Sequence, residues 1–193
     1  AFLEANWRRV GYFDKARLAL IRGQVTDLRS NGNIIAYDAT RDWLMLSSYH
    51  LTDDRIPEYL VALEKFKPDF LNIYPSAALQ IADYLHRNGQ QWCTSLTAVL
   101  CGSEQLTLSQ KRILESVFKC RVLRWYGHAE RIVLACEGAQ SELAYFWPHY
   151  GYVEFGDPDE DGLREVIGTT FHNMAMPLVR YRTGDFVRLA KPK

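Results

Sequence analysis

No apolar run in this sequence approaches the roughly 20 uninterrupted residues that a membrane-spanning helix requires, so a helical span is excluded. Neither sign of charge dominates, with 23 basic against 23 acidic residues. No overall field therefore draws the chain to nucleic acid or to an anionic membrane surface. Cysteine is scarce and scattered at Cys93, Cys101, Cys120 and Cys136, without a CxxC pair or a secretion-type apolar leader. That pattern argues against a disulfide framework and for reduced thiols in a soluble, cytoplasmic protein. Internal repeats and low-complexity stretches are also missing. What remains is ordinary globular composition, 48% apolar and 24% charged over 193 residues, enough for one domain or two unequal subdomains. The chain opens at Ala1, already in a helical pattern (Phe2, Leu3, Trp7, Val10), and closes just after a strand-like run, which reads as a piece of a longer enzyme.

Along the chain, the run 16–22 (ARLALIR) before Gly23 predicts a buried strand, and Asn31-Gly32-Asn33 predicts a tight turn. Pro57 suits a first helical position. Tyr59, Leu60, Leu63 and Phe66 then share a face, Lys65 and Lys67 suit the negative end of the dipole, and Pro68 stops the helix. Phe70 to Tyr74 reads as a strand. Pro75-Ser76 opens a helix that turns Leu79, Ala82 and Leu85 inward and ends at Asn88-Gly89. Leu96 to Cys101 is a further strand, Thr107 with Gln110 forms a capping box, Ile113, Leu114, Val117 and Phe118 face inward, and Val122 to Tyr126 is a strand.

This alternation predicts an α/β fold, a mostly parallel sheet flanked by helices, over residues 1–147. From Pro148 the texture becomes period-two: Gly151 to Phe155, a DPDEDG turn, Leu163 to Thr170, and Leu178 to Arg182. Residues 148–193 therefore read as the start of a small antiparallel, barrel-like β subdomain.

Three strand ends carry chemistry: Tyr74-Pro75-Ser76, Gly102-Ser103-Glu104, and Tyr126-Gly127-His128-Ala129-Glu130. In a parallel sheet such turns lie on the carboxyl edge, where α/β proteins bind ligands. Tyr126 offers a flat face for an adenine ring and Glu130 hard oxygens that suit Mg²⁺. Singly, each has a plainer account, Tyr126 as packing and Glu130 as a helix-start charge. A fourth element is Thr183-Gly184-Asp185, a turn after a strand. It is usually structural, yet its aspartate could accept hydrogen bonds from both hydroxyls of a ribose diol.

The ordered set YPSAA, VLCGSEQL, YGHAERIVLACEG, HYGYVEFGD and AMPLVRYRTGD resembles the core motifs of the adenylate-forming superfamily. The likeness is greatest to its branch of phenylacetate–CoA ligases and CapK-type capsular polysaccharide biosynthesis proteins, and WRRVGY with LALIRG resembles the branch's segment after the phosphate-binding loop. The resemblance implies ATP and a small carboxylic acid as substrates, Mg²⁺ as cofactor, and CoA as the thiol that can receive the acyl group. It implies that Tyr126 stacks on adenine, with Gly127, His128 and Ala129 in the same motif. Gly102, Ser103 and Glu104 would wall the adenine and acyl pocket, and Tyr74, Pro75 and Ser76 would border its acyl side. Glu130 would be the catalytic metal ligand and Asp185 would grip the ribose.

Ala129 departs from the threonine that the superfamily often carries, so one hydrogen bond to a phosphate, about 1.5 to 3 kcal/mol, is absent or supplied otherwise; His128 is either the substitute or a solvated loop histidine. The phosphate-binding loop and the C-terminal lid domain with its lysine are not found in the chain, so the isolated chain is expected not to complete adenylation and to need the remainder of a full-length ligase. A homodimer is compatible with this reading. Cys136 and His149 fall where some relatives of the branch carry structural zinc, but two ligands do not close a tetrahedral site, and zinc is left out. The competing expectations are a non-catalytic nucleotide-binding module in surface polysaccharide biosynthesis and an unrelated α/β domain.

Overall fold

The computed structural model describes residues 2–23, 34–138 and 141–190; the expected Asn31-Gly32-Asn33 turn lies outside them. Contacts divide the chain into two compact units, one from Leu3 to Arg124 and the other from Trp125 onward together with Phe2. This division by contact falls earlier than the change in strand texture at Pro148.

The first unit holds α1 (Phe2–Trp7) from Leu3 on, β1 (Leu18–Arg22), β2 (Ile35–Asp38), β3 (Trp43–Ser47), α2 (Ile56–Phe66), β4 (Phe70–Ile73), α3 (Pro75–Arg87), β5 (Ala98–Gly102), α4 (Leu108–Phe118) and the first part of β6 (Arg121–Gly127). Its strand order is β2-β3-β1-β4-β5-β6. β3, β1, β4 and β5 run parallel, with Leu18 registered against both Trp43 and Phe70. β2 is antiparallel at the edge. The β2–β3 hairpin falls in a stretch that reads as polar and turn-rich, although NIIAYD and WLMLS carry the apolar signal of two short strands.

Strand residues alternate between two cores because successive side chains leave opposite faces. Leu18 and Leu20 pack with Phe70, Ala98, Leu100, Leu123 and Trp7. Ala19 and Ile21 pack with Leu71, Ile73, Val99, Cys101 and the buried faces of α2, α3 and α4. Burial on both faces explains why β1, β4 and β5 read as continuous apolar runs.

The helices form where their caps and apolar spacing dictate. In α2, Pro57 occupies the first turn, Ile56, Tyr59, Leu63 and Phe66 are buried, and left-handed Lys67 returns its N–H to the Leu63 carbonyl. Each such side chain contributes about 1.5 to 3 kcal/mol of burial, an upper bound. The Tyr59 phenol lies wholly inside and donates to the Ser47 carbonyl at 2.6 Å. In α3 the buried seam is Ala78, Ile81, Ala82 and Leu85, while Leu79 is only half-buried.

The Thr107–Gln110 capping box closes α4 as expected. Ile113, however, is 53% exposed, and the buried seam runs through Lys111, Leu114 and Phe118. At about 100° per residue, Ile113 is turned a quarter-circle from Leu114, and four apolar positions were one more than the seam accommodates.

In the second unit, β6 continues to Gly127. It pairs antiparallel with β7 (Leu134–Glu137), which pairs antiparallel with β8 (Ala144–Phe146). Neither β7 nor β8 was anticipated as a strand. β9 (Gly151–Pro158), β10 (Arg164–Thr170) and β11 (Tyr181–Val187) form a separate antiparallel sheet in the order β11-β10-β9. Ile132, Val133 and Val166 are the buried centre of this unit, with Tyr126, Phe146, Val153 and Phe155 packed around them. Gly151 approaches this centre so closely that a Cβ there would overlap the Ile132 carbonyl oxygen. The expected DPDEDG turn closes on Asp159, whose Oδ1 accepts the Asp161 and Leu163 amides at 3.0 and 2.7 Å.

β11 lies further along the chain than the Leu178–Arg182 expected, and Thr183-Gly184-Asp185 is not a turn at its end. It is a bulge within it: Arg182 registers with Ile167 and Phe186 with Glu165, so three residues oppose Val166 alone. Gly184 makes this geometry accessible with a φ of 73°, which a side chain would disfavour.

Candidate functional site

The bulge in β11 is built by its own hydrogen bonds. Thr183 Oγ1 donates to the Val166 carbonyl at 2.8 Å and accepts the Asp185 amide at 3.1 Å. The Gly184 amide donates to Glu165 Oε1 at 3.2 Å, and Arg182 Nε donates to Glu165 Oε2 at 2.7 Å. The Arg182 guanidinium holds the Glu165 carboxyl below the usual carboxylate range. A threonine, a buried glutamate and a left-handed glycine thus fix where the Asp185 side chain starts.

From there Asp185 meets the end of β6. Tyr126, 59 positions earlier in the chain, donates its hydroxyl to Asp185 Oδ2 at 2.8 Å. His128 Nε2 lies 3.1 Å from the same oxygen and 3.0 Å from the Tyr126 hydroxyl. With Tyr126 donating to the carboxylate, the tautomer that completes the set carries its proton on Nε2; His128 Nδ1 is then a buried acceptor without a partner among the described residues. Burial, and next the hydrogen bond to Asp185, push the Tyr126 phenol well above its ordinary range, so it stays a neutral donor. Asp185 Oδ1 has no hydrogen-bond partner among the described residues, and the carboxylate is 51% exposed. It keeps free lone pairs facing solvent.

Glu130 sits in a turn, not at a helix start: the Arg131 amide donates to the His128 carbonyl at 3.1 Å and Arg131 takes a φ of 57°. Asn173 Nδ2 pins the turn by donating to the Glu130 carbonyl at 3.0 Å. The Glu130 carboxylate itself is half-buried and enters no hydrogen bond among the described residues. Gly127 is registered with Leu134, and Ala129 is exposed in the turn. Tyr126, His128 and Asp185 are therefore brought together, with Glu130 two residues beyond His128 but outside their hydrogen-bonded set.

The remaining candidates lie in the first unit. Pro75 is buried at the start of α3, and Glu104 reaches this helix end, accepting the Ser76 amide at 2.8 Å and the Ser76 hydroxyl at 2.9 Å. A carboxylate on the first-turn amide stabilises the positive end of the dipole, so Glu104 acts as a cap supplied from another strand end. Gly102 ends β5, and Ser103 follows in the left-handed region at φ 70°. Arg22, not singled out from the sequence, gathers these pieces. Its Nε and Nη2 donate to Asn72 Oδ1 at 2.8 and 2.6 Å, and its Nη1 reaches the Gly102 carbonyl and Ser103 Oγ, each at 3.2 Å. Its guanidinium also lies 4.5 Å over the Tyr74 ring. The signal in the sequence is a polar residue in each of two buried apolar runs, Arg22 at the end of LALIR and Asn72 in the middle of FLNIY.

No group of three or more His, Cys, Asp or Glu residues able to hold a metal occurs among the described residues. Cys136 is buried in β7, and among the described residues no helix is long and apolar enough to cross a membrane.

No family model matches the chain. Protein CapK of Staphylococcus aureus is 29% identical over 154 residues, which cover 79% of this chain and 34% of CapK. Phenylacetate-coenzyme A ligase of Aromatoleum evansii is 30% identical over 141 residues, 67% of this chain and 32% of that protein. The chain thus spans about a third of the length of the curated relatives it matches. Among solved structures, 2-hydroxyisobutyryl-CoA ligase in an open conformation, in complex with 2-HIB-AMP and CoA, matches 95% of this chain and 45% of its own, with a TM-score of 0.68 at 14% identity. VinN in complex with L-aspartate matches 97% of this chain and 51% of its own, with a TM-score of 0.59 at 17% identity. The fold is that of the acyl-CoA ligases of the adenylate-forming superfamily, and the chain's sequence homologues are CapK and phenylacetate–CoA ligases.

Proposed function

We propose that the chain is the central part of the large domain of an ATP-dependent, carboxylate-activating ligase, and that its second unit holds the adenosine of ATP or AMP. The observation that carries this reading is the junction of Tyr126 and Asp185 across 59 positions at 2.8 Å. An aromatic face beside a carboxylate with free lone pairs is what an adenine ring and a ribose diol need together. Asp185 accepts the diol, Tyr126 presents its ring, and His128 steadies the carboxylate. In the first unit, Gly102, Ser103 and Glu104 are assigned to nucleotide and acyl contacts, and Tyr74, Pro75 and Ser76 to the acyl group.

Activation of a carboxylate joins its oxygen to the α-phosphorus of ATP and releases pyrophosphate, so an anion must approach a polyanion. Mg²⁺, when bound, offsets that repulsion. The half-buried Glu130 carboxylate fits the metal as a lone protein ligand, the arrangement Mg²⁺ uses when phosphates complete its shell. Transfer of the acyl group to CoA, and adenylation itself, belong to a protein that also contains a phosphate-binding loop and a lysine-bearing lid domain. The exposed Ala129 supports a second reading, in which the fold keeps the nucleotide site without catalysis and serves surface polysaccharide biosynthesis.

Titration of the chain with AMP tests the adenosine site: weak binding is expected, and Asp185→Ala abolishes it. Equal binding by that variant overturns the ribose assignment. In the full-length protein, Glu130→Ala lowers carboxylate-dependent ATP–pyrophosphate exchange and leaves folding intact. Wild-type exchange removes Glu130 from its metal role, and absence of exchange in the unaltered protein favours the non-catalytic binder.

A further inference from the structure

Arg22 hydrogen-bonds residues on two other strand ends, Asn72 in β4 and Gly102 and Ser103 at the end of β5. The fork from Nε and Nη2 closes on one oxygen of Asn72, which is buried in β4. The remaining arm reaches the last carbonyl of β5 and the hydroxyl of the residue after it. The flat face of the guanidinium covers Tyr74, the residue that leads from β4 into α3. Every one of these acceptors lies at the carboxyl end of a parallel strand, the edge where such sheets place ligands. Ser103 holds a left-handed conformation that a residue with a side chain rarely keeps unless its surroundings fix it. One residue further on, Glu104 grips both the amide and the hydroxyl of Ser76. The contacts thus form a chain: Arg22 to the Gly102–Ser103 turn, the turn to Glu104, and Glu104 to the start of α3.

We infer that Arg22 is a positioning residue whose guanidinium ties the ends of β1, β4 and β5 into a rigid rim, setting the Gly102–Glu104 turn and, through Glu104, the first turn of α3. Lysine cannot replace it, because a single ammonium lacks both the planar fork and the stacking face. The purpose assigned to the rim, contact with nucleotide and acyl group, rests on the proposed function. The clamp itself does not.

The amide of Ser76 reports on the far end of this chain of contacts, so its hydrogen exchange, followed by NMR in the 193-residue protein, separates the two. Arg22→Met keeps the apolar stem and deletes the fork. Exchange at Ser76 should rise about tenfold or more, the consequence of losing hydrogen bonds to a charged group, with the amides of β10 in the other unit unchanged as an internal reference. Glu104→Gln gives the scale of the effect at the same amide. If Arg22→Met does not fold, Arg22→Lys is measured in its place and the same rise is expected. A folded variant of either kind with wild-type exchange at Ser76 overturns the clamp.

AMP titration of the same proteins tests the purpose of the rim. About tenfold weaker binding in the arginine variant supports it, while unchanged affinity beside faster exchange overturns the positioning role. An unaltered chain that binds no AMP, with Ser76 exchange still accelerated in the variant, refutes the nucleotide reading and leaves the clamp standing.

Discussion

Tyr126→Phe deletes one hydroxyl, leaves the ring, and so separates stacking from hydrogen bonding at the proposed adenosine site. The lost interaction is a 2.8 Å donation to Asp185. A hydrogen bond to a charged group contributes about 1.5 to 3 kcal/mol when shielded. Asp185 is half-exposed and water competes for its oxygens, which brings the expected coupling down to about 1 kcal/mol. A double-mutant cycle of Tyr126→Phe, Asp185→Ala and the pair, read by urea denaturation, isolates that figure from the loss of either side chain alone. Ultraviolet titration of the phenol supplies an independent check. In Asp185→Ala the Tyr126 titration falls toward the ordinary tyrosine range of about 10 but stays above it, because burial is the larger cause of its displacement and remains. Strict additivity in the cycle, together with ordinary titration of Tyr126 in the unaltered protein, would refute the reasoning: Tyr126 and Asp185 would then be neighbours without a shared bond.

Two further outcomes follow from the cores. The Tyr59 phenol is pushed up to about 12 by burial, above its unfolded value of about 10, so the fold favours the neutral form; the associated stability is complete below pH 10 and is lost as pH rises from 10 to 12. About two pH units correspond to roughly 2 to 3 kcal/mol. Denaturation across that window should show the decline and Tyr59→Phe should flatten it; an unchanged slope in the variant would disprove the assignment. Gly151→Ala forces a Cβ against the Ile132 carbonyl oxygen, backbone that cannot rotate away, and should destabilise the second unit by about 3 kcal/mol; a melting curve matching the unaltered protein would contradict the close approach.

Much of the first unit was legible before any coordinates. β1, β4 and β5 announce themselves as apolar runs because a parallel sheet buried on both faces needs both parities apolar. α2 and α4 do so through Pro57 and the Thr107–Gln110 box, which are local devices. β2, β3, β7 and β8 escape a linear reading because a run of three to five residues is told from apolar loop only where flanking turn or helix signals mark it, as Pro68 and Pro75 do around β4. Ile113 was misassigned for a related reason: its neighbours in sequence are apolar, but a helix turns each residue by about 100°, and only packing decides which edge of the stripe is covered.

The sequence by itself determined the order of elements, the residue types at each strand end and the motif series that resembles adenylate-forming ligases, because these depend on local propensity and on letters read in line. Only the tertiary structure decided that Thr183 to Asp185 form a bulge rather than a turn, that Tyr126, His128 and Asp185 share one carboxylate oxygen, that Glu104 caps α3 and that Arg22 holds two other strand ends. Each of those joins groups 17 to 80 positions apart or more. A hydrogen bond depends on distance and direction in space, which the order of residues along a chain does not contain.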